Sequence, residues 1–387
     1  MEFSRLLDQF QEEIFAALTK KSIALQKEGK TIYNMFVGTP DFAPAEHIRN
    51  ALVEAAKDPE NWKYSLRDID ELQEAVVNYY QKRFGVTITK DMIQSCNGSQ
   101  EGIGHIGMAL INPGDTVLLP TPCYPVFISG TQLAGGVPYY YPLSAETNFL
   151  PDVTTIPDDV ADRAKYMIVS LPSNPIGSVG TKEVYESLIA FAKKHDILII
   201  HDNAYSDIIF DGNKGGSFLS YEGAKDVGVE FFSLSKSFDM TGARVSFLIG
   251  DPEIVSAFRK LRGQIDFGMF LPIQYAAIAA LTGPLDMVKE QCQMYEERRD
   301  ALCGGLRDIG WNVPDSHGSM FVWAPIPDRY ETSMDFCLDL VEKSGVLCTP
   351  GASFGPLGER YVRFALVLPP EKIKEAVQSI QDSHIIA

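Results

Sequence analysis

The stretch "FFSLSKSFDMTGARVSFLIG", residues 231–250, joins two apolar runs through a polar, glycine-containing turn that holds Lys236 and Arg244 eight positions apart. Apolar runs of this kind read as strands buried on both faces. Two like charges beside a buried strand end repel each other, and each is costly to desolvate unless a partner neutralises it. Two readings follow. In one, both side chains point to water, the usual fate of an isolated pair of cations. In the other, an anionic ligand occupies the turn, its phosphate taking Arg244 with the hydroxyls of Ser233 and Ser235, and its carbonyl carbon taking Lys236 into a covalent imine.

Working outward, the runs "TVLLPTP" (116–122), "KYMIVSLPSNP" (165–175), "DILIIHDNAYS" (196–206) and "VSFLIGDP" (245–252) have the same texture, and each ends in polar or turn residues. Helical patterns lie between many of them, such as "TKEVYESLIAFAKKH", opened by Thr181 as a cap. The fold predicted is α/β: a large domain with a mostly parallel mixed sheet covered by helices, and ligands just past the carboxyl ends of its strands. From about residue 284 a long amphipathic helix, "PLDMVKEQCQMYEERRDALCGGLRDIG", leads to "MFVWAPI" and "YVRFALV", strands of a smaller α/β unit that closes with a C-terminal helix. The division expected is a segment 1–44 contributing to the small domain, a large cofactor-binding domain 45–284, and a small domain 285–387, packed with a cleft between them.

Composition narrows the function. The 387 residues are 45% hydrophobic and 22% charged, and 51 acidic against 34 basic residues give a formal net charge of -17. That charge opposes attraction to nucleic acid or to an anionic membrane and favours small-molecule chemistry. Cys96, Cys123, Cys292, Cys303, Cys337 and Cys348 form no C-x-x-C pair and suit a reduced cytosol, and the six histidines show no metal-ligand spacing. The opening "MEFSRLLDQFQEEIF" alternates charged and apolar residues at helical spacing, unlike a signal peptide or a membrane span. A soluble cytoplasmic protein without a metal is expected.

Each strand end contributes a group that pyridoxal phosphate would need. Asp202, after "ILII", is placed to pair with a protonated pyridine nitrogen and keep the ring an electron sink, although an Asx turn or helix cap is an equally ordinary reason for an aspartate there. Tyr205 and Asn174, the latter in "PSNPIG", are candidates for hydrogen bonds to the ring hydroxyl. The stretch "NGSQEGIGHIGMAL" reads as a turn feeding a helix whose first amides, at Ser99 and Gln100, would cradle a phosphate. It also contains Gly102, Gly104 and Gly107, a literal G-x-G-x-x-G, but these glycines fall inside the helix rather than in a strand-to-helix turn, which argues against a dinucleotide. Tyr124, in "PTPCYPVF", would lay its ring on the pyridine or simply pack in the core. Arg363 is an isolated cation in the apolar run "YVRFALV", so either a substrate carboxylate or a structural salt bridge would satisfy it.

In the order "VGTPDF", "YSLRDIDELQEAV", "NGSQEGI", "PTPCYPVF", "SNPIG", "DNAYSD", "SLSKSFDMTGAR", "YEERRDAL", "TPGASFG" and "YVRFAL", the chain resembles the class I/II aminotransferases, which are fold-type I pyridoxal-phosphate enzymes. The resemblance implies that Lys236 binds pyridoxal 5'-phosphate covalently and carries protons during catalysis. It implies that Ser233, Ser235, Arg244, Ser99 and Gln100 hold the phosphate, and that Asn174, Asp202 and Tyr205 set the ring electronics while Tyr124 stacks. Arg363, Asn174 and the backbone of Gly38 would hold the substrate carboxylate. Tyr64 would reach the phosphate of the neighbouring subunit in a homodimer with shared active sites. Asp239 and Ser246 depart from the lysine motif, which has a small or amide residue and a glycine there; Ile176 replaces a threonine, and the glycine usual after Tyr64 is missing.

The activity implied is transfer of an amino group from an L-amino acid to a 2-oxo acid such as 2-oxoglutarate, in two half-reactions. A C–S β-lyase of the same fold would share every residue above. A non-catalytic pyridoxal-phosphate sensor would need a DNA-binding addition, for which the segment before "VGTPDF" is short. With no second arginine assigned to a side-chain carboxylate, aspartate, alanine, aromatic and diaminopimelate donors all stay open.

Overall fold

The computed structural model describes residues 2–10 and 14–386. Of the opening stretch read as helical, residues 11–13 lie outside the described residues; Arg5–Gln9 is a short 3-10 turn and Ile14–Lys27 an α-helix. In chain order the strands are β1 (Tyr33–Asn34), β2 (Ile93–Cys96), β3 (Thr116–Thr121), β4 (Val137–Pro142), β5 (Ala164–Ser170), β6 (Leu198–Asn203), β7 (Gly228–Ser233), β8 (Ser246–Gly250), β9 (Phe321–Pro325), β10 (Val346–Leu347), β11 (Thr349–Pro350) and β12 (Tyr361–Ala365). Among the described residues, seven of them form one sheet in the order β2-β8-β7-β6-β5-β3-β4. Its pairs are parallel from β7 to β4, whereas β8 runs antiparallel to both β7 and β2.

Alternation along the strands explains why their sequences are mostly apolar, with His201 of β6 and Glu230 of β7 set against each other as a buried polar pair. Leu119, Ile168, Ile200, Phe231 and Leu248 enter a core on one face, while Leu118, Met167, Ile199, Phe232 and Phe247 enter a core on the other. Successive side chains of a strand point to opposite faces, so a sheet covered twice is apolar on both. Thr181 caps one covering helix, Lys182–His195, by accepting the amide of Val184, and basic residues fill its last turn. Another, Ser99–Leu110, carries the three glycines. A Cβ at Gly102 would run into the Phe231 ring, and one at Gly107 would come within 3.0 Å of Ala134 and Tyr166. Gly102 and Gly107 therefore serve close packing of this helix, whereas a Cβ at Gly104 would meet only Val126, at 3.7 Å.

A separate core gathers Leu18, Met35 and Phe36 with Tyr295, Leu302, Val322, Leu340, Phe364 and Ile373. Above it β11, β12 and β9 form an antiparallel sheet, and β1 pairs in parallel with β10. The long helix Asp286–Asp308 packs against the closing helix Pro370–Asp382. Its Arg298 binds both oxygens of Asp41, at 2.7 and 2.9 Å, tying the segment before β2 to this core. Among the described residues no helix is long and apolar enough to cross a membrane.

Candidate active site

The carboxyl ends of β5, β6 and β7, the start of helix Ser99–Leu110 and the face of β9 and β12 surround a cavity of about 730 Å³. Gly38, Ser99, Gln100, Tyr124, Asn174, Asp202, Tyr205, Ser233, Ser235, Lys236, Arg244 and Arg363 all line it. Tyr64 does not. It is 81% exposed, its ring lies 5.1 Å from that of Phe267, and nearby Trp62 meets Phe270.

Lys236 sits in the single turn Leu234–Ser237 that ends β7, and the Ser233 hydroxyl opens that turn by accepting the Ser235 amide at 3.1 Å. The lysine amine donates to the Gly38 carbonyl at 2.7 Å. Desolvation pulls that amine down to about 8, and the positive charges of Arg363 and Arg244 add to the effect. Arg244 adopts a left-handed backbone, φ 57°, and donates to the Thr241 carbonyl at 2.9 Å. Its guanidinium crosses the start of helix Ser99–Leu110 so closely that a Cβ at Gly98 would collide with it. The first helical amides and Arg244 thus converge on one point, joined by the Ser99 hydroxyl, which is buried and has no hydrogen-bond partner among the described residues.

At the other end of the cavity Asp202, the last but one residue of β6, presents a buried carboxylate whose Oδ1 has no hydrogen-bond partner among the described residues. Burial pushes its carboxyl up to about 6, against the opposing effects of His201 and the Ala204 amide. Tyr205 is buried with its ring edge-on to Phe321, and desolvation raises its hydroxyl. The Tyr124 hydroxyl donates to Gln100 Oε1 at 2.8 Å.

Arg363 is buried in β12 and, among the described residues, no carboxylate lies within ion-pair distance of it. Among the described residues the salt-bridge alternative is therefore not realised. Instead the guanidinium donates to Asn174 Oδ1 at 2.9 Å, to the Phe36 carbonyl at 3.1 Å and to Thr349 Oγ1 at 3.3 Å, while its Nε has no partner among the described residues. It lies over the rings of Phe321 and Phe354, 4.2 and 4.7 Å from their centroids. Burial pulls the guanidinium down to about 10. Thr19, Phe36, Val37, Ile103, Thr241 and Phe321 also line the cavity and were missed from sequence. Apolar strand and helix residues such as Phe321 and Ile103 carry no signal that separates a wall from a core.

Fold and site together define an α/β enzyme that presents to one cavity a lysine amine, a cluster of anion donors and a buried carboxylate with one oxygen unpartnered among the described residues. The family model of class I and II aminotransferases matches residues 30–380. An LL-diaminopimelate aminotransferase from Halothermothrix orenii is 42% identical over 374 residues, covering 96% of each chain. The substrate-bound structure of BacF from Bacillus subtilis superposes with a TM-score of 0.94 at 35% identity, covering 99% of this chain and 98% of that one. A probable N-succinyldiaminopimelate aminotransferase from Thermus thermophilus gives a TM-score of 0.91 at 31% identity, covering 96% of this chain and all of the other. The chain belongs to the class I and II aminotransferases and is a pyridoxal-phosphate-dependent amino-group transferase.

The residues present fit that cofactor. Asp202 Oδ1 and Ser99 Oγ are buried polar atoms of the same cavity without partners among the described residues, one suited to a cationic ring nitrogen and the other to a phosphate oxygen. An anion is also what the cluster of Arg244 and the helix start lacks.

Proposed function

We propose that the chain moves the amino group of an L-amino acid to 2-oxoglutarate by two half-reactions, with LL-diaminopimelate as its donor. The donor rests on the names of relatives such as the 42% identical enzyme of Halothermothrix orenii. The observation that carries the mechanism is the depressed Lys236 amine, in one cavity with Asp202, whose Oδ1 has no partner, and Arg363, which meets no carboxylate, among the described residues. When bound, pyridoxal phosphate supplies an electron-withdrawing ring that takes up the electron pair left at the substrate α-carbon when its proton departs.

The chain's own groups do the rest. Arg363, with Asn174 holding one of its nitrogens, clasps the substrate α-carboxylate, and this fixes which bond at the α-carbon faces Lys236. With its amine near 8, Lys236 can both accept and return the α-proton near neutral pH. Asp202 holds a proton on the ring nitrogen. Ser99, Gln100, Ser233, Ser235 and Arg244 anchor the phosphate, Tyr124 covers the ring, and Tyr205 and Asn174 bond its hydroxyl. We place the enzyme in the cytoplasm as a homodimer whose Tyr64 serves the partner's phosphate; the exposed Tyr64, Phe267 and Trp62 support that arrangement. We take residues 45–284 as the cofactor-binding domain, and 285–387 with the first 44 residues as the smaller one.

A second donor class has its own support. The remaining cavity wall offered by this chain, Thr19, Phe36, Val37, Thr39 and Ile103, carries no charge, which suits an aliphatic or aromatic side chain. The test is a donor panel of LL-diaminopimelate, aspartate, alanine and phenylalanine against 2-oxoglutarate, reading glutamate formed. Fastest turnover with LL-diaminopimelate is expected; fastest turnover with phenylalanine selects the second class. Pyruvate and ammonia released from cystathionine without any 2-oxo acid, faster than every transfer, would overturn amino transfer as the main activity.

A further inference from the structure

The turn that carries Lys236 is too short to hold itself. Leu234–Ser237 is a single turn, and the bond that closes it, from the Phe238 amide to the Leu234 carbonyl, is long at 3.3 Å. One helical turn fixes several backbone dihedrals for one hydrogen bond, so its placement depends on what grips it from outside. Two grips flank the lysine. The side-chain amide of Gln291, on the long helix Asp286–Asp308, donates to the Lys236 carbonyl at 3.1 Å and to Asp239 Oδ1 at 2.6 Å. The hydroxyl of Ser237, the next residue along the turn, donates to Asp207 Oδ2 at 2.7 Å.

Asp207 lies just past the end of β6, and its carboxylate is buried. It is anchored independently of the turn. Its Oδ1 accepts both Nε and Nη2 of Arg83, at 3.1 and 2.7 Å, from the helix Asp70–Phe84, and its Oδ2 also accepts the Ser206 hydroxyl at 3.1 Å. Charge-assisted bonds of this kind are the strong ones, and the guanidinium compensates the burial of the carboxylate. Ser237 is therefore held by a carboxylate that is itself fixed. Asp207 and Ser237 stand outside the residues that line the cavity, whereas the Lys236 amine reaches into it and bonds the Gly38 carbonyl. We propose that Asp207 is a positioning residue for amino transfer: by holding the Ser237 hydroxyl it fixes the Lys236 backbone where the amine can reach the substrate α-carbon. A proton carrier displaced by about 1 Å forfeits much of what proximity contributes to the rate. The inference rests on Lys236 being the cofactor-bearing, proton-carrying lysine.

Three variants separate positioning from packing. Ser237→Ala removes the grip on the turn and leaves the Arg83 pair in place, Ser237→Thr keeps the hydroxyl, and Ser206→Ala takes a bond from the same carboxylate oxygen without touching the turn. Each is assayed as the holoenzyme with 2-oxoglutarate and whichever donor the panel above turns over fastest, and the parent's attachment point is mapped by borohydride reduction and peptide mass. Ser237→Ala should lower kcat by about tenfold or more while KM stays within about threefold. Ser237→Thr should recover most of the loss, and Ser206→Ala should stay within about twofold of the parent. A kcat for Ser237→Ala within about twofold of the parent's overturns the inference. An equal loss in Ser237→Thr or in Ser206→Ala assigns the effect to packing and overturns it too. Attachment at another lysine overturns the assignment of Lys236 instead, and the inference with it. If Ser237→Ala does not fold, Ser237→Cys keeps the side chain with a weaker donor and is read in the same way.

Discussion

Two buried carboxylates on neighbouring strands meet opposite fates. Glu230 of β7 lies beside His201 in the ladder, and it accepts bonds from the Tyr80 hydroxyl at 2.7 Å, the Ser217 hydroxyl and the Phe218 amide at 2.8 Å each, and it meets His201 Nδ1 at 3.1 Å. Asp202 is the next residue after His201 on β6, yet its Oδ1 has no partner among the described residues. Consecutive residues of a strand face opposite sides of the sheet, so one carboxylate enters a closed core and the other enters the cavity. Depth alone therefore does not make a site. What separates the two is whether the acceptor positions are filled from within the chain.

The largest expected effect comes from emptying the closed side. Glu230→Leu would leave two hydroxyls, an amide and an imidazole without their acceptor, at a cost of about 3–5 kcal/mol in urea unfolding of the cofactor-free chain. A loss under about 1 kcal/mol would break the contrast.

On the open side the sign reverses. Asp202 has a folded-state value of about 6 against the ordinary 3.8, so its contribution is fully present below about 3.8 and is lost as pH rises through about 6. Two units are worth about 3 kcal/mol. Asp202→Asn should accordingly stabilise the cofactor-free chain by up to that amount at pH 8 and leave it unchanged near pH 4, as followed by thermal unfolding at both. Equal effects at the two pH values would show that ionisation is not the cause.

The smallest contrast uses two serines. The Ser217 hydroxyl serves Glu230 and also accepts the Leu219 amide at 3.1 Å, whereas the Ser99 hydroxyl has no partner among the described residues. Ser217→Ala should cost about 1–2 kcal/mol, and Ser99→Ala within about 0.5 kcal/mol of nothing, in the cofactor-free chain. Similar costs for both would mean that Ser99 is held by contacts other than hydrogen bonds.

Much of this was legible in advance. Mostly apolar runs announced a sheet covered on both faces, and the position of Gly102, Gly104 and Gly107 within a helix separated helix glycines from those of a phosphate loop. Strand direction was not legible: "VSFLIG" has the same texture as the parallel strands because burial on both faces erases the pattern, so the antiparallel course of β8 shows only in its pairing with β7 and β2. Polar residues at strand ends led to the cavity, since a charge beside an apolar run demands a reason. Walls such as Phe321 gave no such demand. Nor did Gln291, whose bond to Asp239 joins positions 52 apart and is written in no local spacing.

The rings under Arg363 have one more consequence. A guanidinium lying over Phe321 and Phe354 has its broad surface occupied and offers only its rim of N–H groups, which matches a flat pair of oxygens. Across the same cavity the helix start, Ser99 and Arg244 approach from several directions and match a pyramidal group. On the assignment proposed above, the two anion sites of one chamber would be told apart by shape where charge could not distinguish them. The chamber would then have a head and a foot.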